Sequence, residues 1–288
     1  MSAIIIDGKT SAAKLREELR QRAGQLKERG ITPCLAVILI GEDPASLSYV
    51  KAKQKALAEA GMDGRDLRLA ETTSEAELLS LIASLNADEK VHGILVQLPL
   101  PKHIREAMVI AAIDPVKDVD CFHPVNVGKL LLEEPGFLPC TPHGIVHLLQ
   151  EQKIPTQGAH AVVVGRSNIV GKPLALLLAR RELNATVSIC HTGTKDLASH
   201  TRRADILIAA VGRPGLITGD MVKKGAAVID VGVNRVADSS GKGYRLTGDV
   251  NFAEAAELAG WITPVPGGVG PMTIAMLMRN IVQAAEAR

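Results

Sequence analysis

The chain has 288 residues, 47% of them hydrophobic and 22% charged, with 33 Lys and Arg against 31 Asp and Glu. That length holds one large domain or two ordinary ones, and the composition is that of a globular protein. A formal charge of +2 gives no reason to expect nucleic acid or an anionic membrane as the partner.

The first apolar run, residues 3–6, ends at Asp7 and is far too short for a signal peptide or a membrane span. No later stretch qualifies, so a soluble, cytoplasmic protein is expected. Cys34, Cys121, Cys140 and Cys190 form no CxxC pair and have no clustered histidines beside them. Free thiols in a reducing compartment are therefore expected, and no metal centre.

In chain order, short aliphatic runs predict strands at 3–6, 34–40, 66–70, 93–97, 161–164, 186–190, 205–210 and 227–230. Between them, apolar residues at helical spacing predict helices at 11–27, 45–60, 74–85 and 172–183, with a last helix at 271–286. Thr10 or Ser11 is the expected N-cap of the first helix, and Gly61 ends the second. Continuous apolar strands alternating with helices give an α/β fold with parallel sheets covered on both faces. The rhythm lapses between 113 and 142, a segment rich in Pro, Asp and Gly, and resumes near 161. Two α/β lobes follow, 1–140 and 141–269, with the last helix (270–288) returning to the first. In such lobes ligands bind where the strands end, so the residues just after each strand are the candidates.

The run Ala161-Val-Val-Val-Gly165-Arg166-Ser167-Asn-Ile-Val-Gly171 reads as a buried strand, a glycine turn and a helix start. Gly165 permits a tight turn. Gly171 and the helix N-terminus are expected to offer bare N–H groups and a positive dipole end to a pyrophosphate. Five residues separate the two glycines, so this is not the usual GxGxxG, and a ligand-free turn stays open as an alternative. The next strand ends Ser188-Ile-Cys190-His191-Thr192 without the acid that binds the ribose hydroxyls in NAD-specific folds. Arg166, Ser167, His191 and Thr192 instead suit a 2′-phosphate, which predicts NADP and a Rossmann-like second lobe. Glycine turns at Gly212 and around Val233 follow two further strands and suit the two ends of a dinucleotide, or serve as plain turns.

Tyr49 and Lys53 lie at i and i+4 of a predicted helix that follows a strand. Gln97 closes another strand, and Pro99 and Pro101 stiffen its exit. Asp120 lies in the irregular middle segment. Each alone reads equally as a solvated surface group; their combination points to a site.

Ser48-Tyr49-Val-Lys-Ala-Lys53, Val96-Gln-Leu-Pro-Leu-Pro101, Lys117-Asp-Val-Asp120, Pro139-Cys-Thr-Pro142 and Thr263-Pro-Val-Pro-Gly-Gly-Val-Gly-Pro-Met-Thr273 carry the argument further. Together they resemble the signatures of the methylenetetrahydrofolate dehydrogenase/cyclohydrolase family, in its short bifunctional form, from Asp7-Gly8-Lys9 to the final helix. The resemblance implies tetrahydrofolate derivatives as substrates, NADP as cofactor, a homodimer, and an active-site cleft between the lobes. It implies that Lys53 is the main catalytic residue and that Gln97 holds it. Tyr49 would pack on the aminobenzoyl group, and Asp120 would bind the pterin with Leu98 and Pro99 nearby. Pro266 and Gly267 would also bind the substrate, with the nicotinamide lying near them. One departure is Cys121, where the family usually has Gly; a side chain there has the position to crowd the pterin pocket or shift Asp120, and is read as tolerated. Hydride transfer needs chiefly orientation. The hydrolytic step needs proton transfer, and a lysine in a dry cleft beside a cationic substrate suits that task. Two rival readings are another two-lobed NADP dehydrogenase and a folate- or dinucleotide-binding protein without catalysis.

Overall fold

Residues 34–40, Cys-Leu-Ala-Val-Ile-Leu-Ile, are apolar on both faces, which suits a strand covered from both sides. In the structure, a computed structural model that describes residues 3–238 and 243–288, this segment is the middle strand of a parallel sheet and is buried throughout.

The elements begin with strand β1 (Ile4–Ile5), helix α1 (Gly8–Glu28), β2 (Cys34–Ile40), α2 (Pro44–Glu59), β3 (Asp63–Leu69) and α3 (Glu75–Ala87). Next come β4 (Gly93–Val96), α4 (Glu106–Ala112), α5 (Pro124–Leu131), α6 (Cys140–Glu151), β5 (His160–Val164) and α7 (Gly171–Ala179). Then follow β6 (Thr186–Cys190), α8 (Leu197–Thr201), β7 (Ile206–Ala209) and β8 (Ala227–Asp230). The chain closes with β9 (Asn234–Ala237), β10 (Tyr244–Thr247), α9 (Phe252–Leu258), β11 (Trp261–Ile262) and α10 (Val269–Glu286). They divide into two units: residues 13–138 with 274–288, and residues 3–12 with 139–273.

The first unit is built on the sheet β3-β2-β4, all parallel. Ala36, Ile38 and Ile94 on one face pack with Leu78 and Ile82 of α3 and Val109 of α4. Truncating such a leucine to alanine costs about 2–5 kcal/mol. Helix α3 starts on a capping box, Ser74 accepting from the Glu77 amide while the Glu77 carboxylate accepts from the Ser74 amide. At its other end the Lys117 ammonium, 2% exposed, donates to the carbonyls of Leu85, Asn86 and Asp88, each at 2.8 Å. These groups carry the negative end of the helix dipole, so a cation there is favourable. Desolvation, and then repulsion from Arg288, lower the Lys117 pKa. Asn280 of α10 donates to the carbonyls of Val119 (2.7 Å) and Leu138 (2.9 Å), which ties down the segment that carries Asp120.

The second unit is a six-stranded parallel sheet in the order β1-β11-β8-β7-β5-β6, with a separate antiparallel pair β9-β10. The chain leaves β5 to one side for β6 and to the other for β7 and β8. The β5 carboxyl end is thus a switch point, the place where doubly wound sheets bind ligands.

Several boundaries differ from the sequence reading. Helix α1 begins at Gly8, and its first turn is held by Asp7, whose carboxylate accepts from the amide of Lys9 (3.0 Å) and the hydroxyl of Thr10 (2.6 Å). Thr10 and Ser11 are inside the helix rather than its cap. Strand β3 starts at Asp63, not 66, because as an edge strand it is exposed on alternate residues and carries polar side chains. Helix α7 stops at Ala179, where Arg180 turns extended (ψ 151°), four residues before the predicted end. The segment 113–142 is less irregular than its composition implies, since α5 lies within it and starts on His123 and Pro124.

Candidate active site

Helix α2 is entered through Asp43, whose carboxylate accepts from the Ser46 amide at 2.7 Å, followed by Pro44 at the first helical position. That fixed start places Tyr49 and Lys53 one turn apart. Tyr49 is 44% exposed. The half-buried Lys53 donates from Nζ to Gln97 Oε1 at 3.1 Å. Gln97 is anchored in turn: its backbone amide donates to Ile38 O at 2.9 Å and its side-chain amide to Leu98 O at 2.9 Å. The chain then leaves the sheet through a cis Leu98–Pro99 bond.

Asp120, half-buried, shares the wall of a small hollow with Leu95, Val96, Leu98 and Phe122. Its neighbour Asp118 is 2% exposed and serves the backbone. It accepts from the amides of Phe122 (3.2 Å) and His123 (2.8 Å) and from the Asn126 side chain (2.8 Å). In Lys117-Asp-Val-Asp120, therefore, Lys117 and Asp118 hold the backbone of the segment, and both Asp118 and Asp120 border the hollow. Lys53 in the middle of α2, Gln97, Leu98 and Pro99 just beyond β4, and Asp120 in the segment after α4 all belong to the first unit.

Cys121 has φ 61°, in the left-handed region that favours glycine. Its side chain is 1% exposed, and Sγ donates to Phe137 O at 3.1 Å. It is not among the residues that wall the hollow, so the thiol is stored in the core rather than crowding Asp120.

In the second unit Gly165 (φ 130°) follows β5 directly, and its amide donates to Cys190 O at 2.8 Å. A Cβ there would collide with Ala210 O, and one on Gly171 with Gly165 O. Both positions need glycine for close approach at the switch point. Arg166 and Ser167 are exposed on the turn after β5, and His191 and Thr192 follow the neighbouring strand β6. Cationic and hydroxyl groups, with no carboxylate at the end of β6, fit a phosphate better than a bare ribose diol. The N-terminal amides of α7 are less bare than expected. Val170 and Gly171 donate to Ser167 Oγ (3.2 and 3.3 Å), and Lys172 to Ser167 O (3.1 Å). The Ser167 hydroxyl proton stays available to a ligand. His191 Nδ1 accepts from the Gly193 amide at 3.0 Å, which leaves Nε2 for any outward bond. Gly212 (φ 67°) and Val233 (46% exposed) sit in the turns after β7 and β8.

Pro266 follows a cis Val265–Pro266 bond, and Gly267 (φ 113°) accepts at its carbonyl from the Lys9 amide at 3.1 Å. A Cβ on Gly8 would collide with Gly268 O, which explains glycine in Asp7-Gly8-Lys9.

Two carboxylates escaped the sequence reading. Asp230 (4% exposed) and Asp249 (fully buried) lie under the turns after β7 and β8. Burial pushes the Asp230 pKa up to about 6, against the backbone amides of Asp249 and Val250 that pull it down. An Asp closing a buried strand and a single Asp in the loop after β10 carry no spacing signal that could have found them.

Residues 6–120 match the tetrahydrofolate dehydrogenase/cyclohydrolase catalytic domain, and residues 139–288 match the NAD(P)-binding domain of the same family. The chain is 60% identical over 284 residues to the bifunctional protein FolD of Exiguobacterium sibiricum, covering 99% of this chain and all of that one. The crystal structure of the FolD methylenetetrahydrofolate dehydrogenase/cyclohydrolase from Campylobacter jejuni is 50% identical, covers both chains completely and superposes with a TM-score of 0.95. The Trypanosoma brucei enzyme, crystallised with NADP cofactor and inhibitor, is 41% identical with a TM-score of 0.96, over all of this chain and 98% of that one. With both of its units matched and relatives this similar end to end, the chain belongs to the tetrahydrofolate dehydrogenase/cyclohydrolase family.

Proposed function

We infer that this chain oxidises 5,10-methylenetetrahydrofolate to 5,10-methenyltetrahydrofolate with NADP and then hydrolyses that product to 10-formyltetrahydrofolate. The observation that carries the reading is the Lys53–Gln97 hydrogen bond at the end of β4, in a chain with these family relationships.

NADP, when bound, supplies the hydride acceptor. Gly165 lets the pyrophosphate approach the switch point, while Arg166, Ser167, His191 and Thr192 hold the 2′-phosphate. Gly171 opens the helix beside it, and Gly212 and Val233 line the remainder, with Pro266 and Gly267 towards the nicotinamide. Tyr49 offers its ring to the aminobenzoyl group, Asp120 accepts from the pterin N–H groups, and Leu98 and Pro99 shape the pocket beside them.

In the second step a water adds to the methenyl carbon, and the bond from that carbon to N5 breaks. Lys53 Nζ holds and moves the proton between the water and the departing nitrogen, while Gln97 Oε1 fixes where Nζ points. Orientation carries the first step and proton transfer the second, so Lys53 bears most on hydrolysis. No helix among the described residues is long and apolar enough to cross a membrane. A cytoplasmic homodimer is the form proposed.

The test is turnover of methylenetetrahydrofolate by the purified protein with NADP and NAD in parallel, followed by methenyl hydrolysis alone. NADP-dependent oxidation with accelerated hydrolysis is expected. Folded protein that binds NADP but catalyses neither step would overturn the reading.

A further inference from the structure

The turn after β7 uses its backbone amides inward. Val211 and Gly212 donate to Asp249 Oδ2 at 2.7 and 3.0 Å, and Arg213 donates to Oδ1 at 2.8 Å. The side-chain amide of Asn234, at the start of β9, donates to the same Oδ1 at 2.9 Å. One fully buried carboxylate thus gathers four donors from two turns. Asp249 is itself fixed from behind. Asp230 accepts from the amides of Asp249 (2.9 Å), Val250 (2.9 Å) and Gly232 (3.0 Å), and the Asp230 amide donates to the Thr263 hydroxyl at 2.8 Å. There is no slack in the assembly, since a Cβ on Gly232 would strike the Asp249 carboxylate and one on Gly248 the Asp230 carboxylate.

A trans peptide holds its C=O opposite its N–H. With the amides of 211–213 turned to Asp249, the carbonyls of Ala210, Val211 and Gly212 face away from it. None of the three accepts a backbone hydrogen bond among the described residues. The outer surface of this turn is therefore made of acceptors, with the Ala210 carbonyl beside Gly165, and a buried, fully hydrogen-bonded carboxyl group stands behind it. Such a surface attracts hydrogen-bond donors and disfavours phosphate.

Sheet order says which donors. The 2′-phosphate groups, Arg166, Ser167, His191 and Thr192, follow β5 and β6, and β7 and β8 lie on the other side of β5. A dinucleotide with its 2′-phosphate at β6 and its pyrophosphate at β5 brings its nicotinamide half to β7 and β8. We propose that Asp249 is a positioning residue of the cofactor site, which locks the 211–213 turn with its carbonyls outward to receive the ribose hydroxyls or carboxamide of the nicotinamide half. The proposal rests on the NADP reading above.

The experiment compares wild type with Asp249→Asn in the full chain, by calorimetric affinity for NADP and for 2′,5′-ADP, which lacks the nicotinamide half, and by amide exchange without ligand. The variant is expected to bind NADP at least tenfold more weakly and 2′,5′-ADP within twofold of wild type. Faster exchange is expected at 211–213 but not at 162–164 in β5. Unchanged NADP affinity despite faster exchange at 211–213 would overturn the proposal, as would parallel loss of both nucleotides. If Asp249→Asn does not fold, Asn234→Ala removes one donor and is read by the same ratio of affinities, with no selective loss of NADP overturning the proposal. Failure of wild type to bind either nucleotide would instead sink the cofactor reading itself.

Discussion

The Lys53 ammonium reaches from the middle of α2 to the amide oxygen of Gln97, 3.1 Å away and one residue past the end of β4. Gln97 is fixed by two bonds of its own, to Ile38 O and Leu98 O, so the lysine is aimed by a rigid partner. Lys53→Met is expected to lower methenyl hydrolysis by about 100-fold or more, the low end of what a positioned acid–base group contributes. NADP-dependent oxidation should fall much less, and Gln97→Ala should give a milder version of the same split. Separate assays of the two steps check this, and equal losses in both would rule out the proposed division of labour.

Arg166 is exposed at the switch point and has no acidic partner among the described residues. Its guanidinium is thus available to a 2′-phosphate. A hydrogen bond to a charged group is worth about 1.5–3 kcal/mol, so Arg166→Ala should cut the preference for NADP over NAD by about 10-fold or more. The ratio of kcat/KM for the two cofactors measures it. An unchanged ratio would remove Arg166 from the 2′-phosphate site.

The parts of the fold that the sequence announced are those where one physical demand dominates. Strands β2 and β5 are apolar runs because both faces are covered, and the shorter β7 and β8 are buried in the same way. Strand β11, only Trp261–Ile262, is too short for any periodicity, and β9 and β10 mix polar and apolar residues as an exposed antiparallel pair does. The site divides along the same line. Gln97 and the Gly165 turn stand out in the sequence because each directly follows a recognisable strand, whereas Lys53, in the middle of α2, is singled out by the family resemblance. Asp249 does not stand out, because its partners are backbone amides 36 to 38 residues earlier in the chain. Nor does any pattern reveal that Ser167 spends its lone pairs on the α7 amides.

Cys121 combines a strained backbone (φ 61°) with a buried thiol bonded to Phe137 O. Cys121→Ala keeps the strain and discards the bond, whereas Cys121→Gly relieves the strain and discards both bond and side chain. Alanine at positive φ is destabilising where glycine is at ease, so Cys121→Ala should be the less stable of the two variants, by about 1 kcal/mol. Folate KM should change by less than about threefold in Cys121→Gly, since the thiol does not wall the Asp120 hollow. Thermal unfolding and steady-state kinetics decide, and a large KM change would place the thiol in substrate binding after all.

Asp230 ties stability to pH. Its carboxyl is 4% exposed, and burial raises its pKa from 3.8 to about 6 in the folded chain. A raised folded pKa means that the native state binds the proton more tightly than the unfolded chain does. The stabilisation it brings is fully present below pH 3.8 and is lost as pH rises through about 6. A rise of that size corresponds to about 3 kcal/mol. Asp230→Asn cannot titrate, so the stability of wild type relative to this variant should decline by roughly that amount between about pH 4 and pH 7. The ionised form, favoured above about pH 6, is also the better acceptor for the amides of Asp249 and Val250. NADP affinity should therefore weaken below about pH 6 in wild type, even as the fold gains stability from the same proton. Denaturant unfolding and NADP titration across this range test both trends, and a pH-independent difference between wild type and Asp230→Asn would exclude Asp230 as their source.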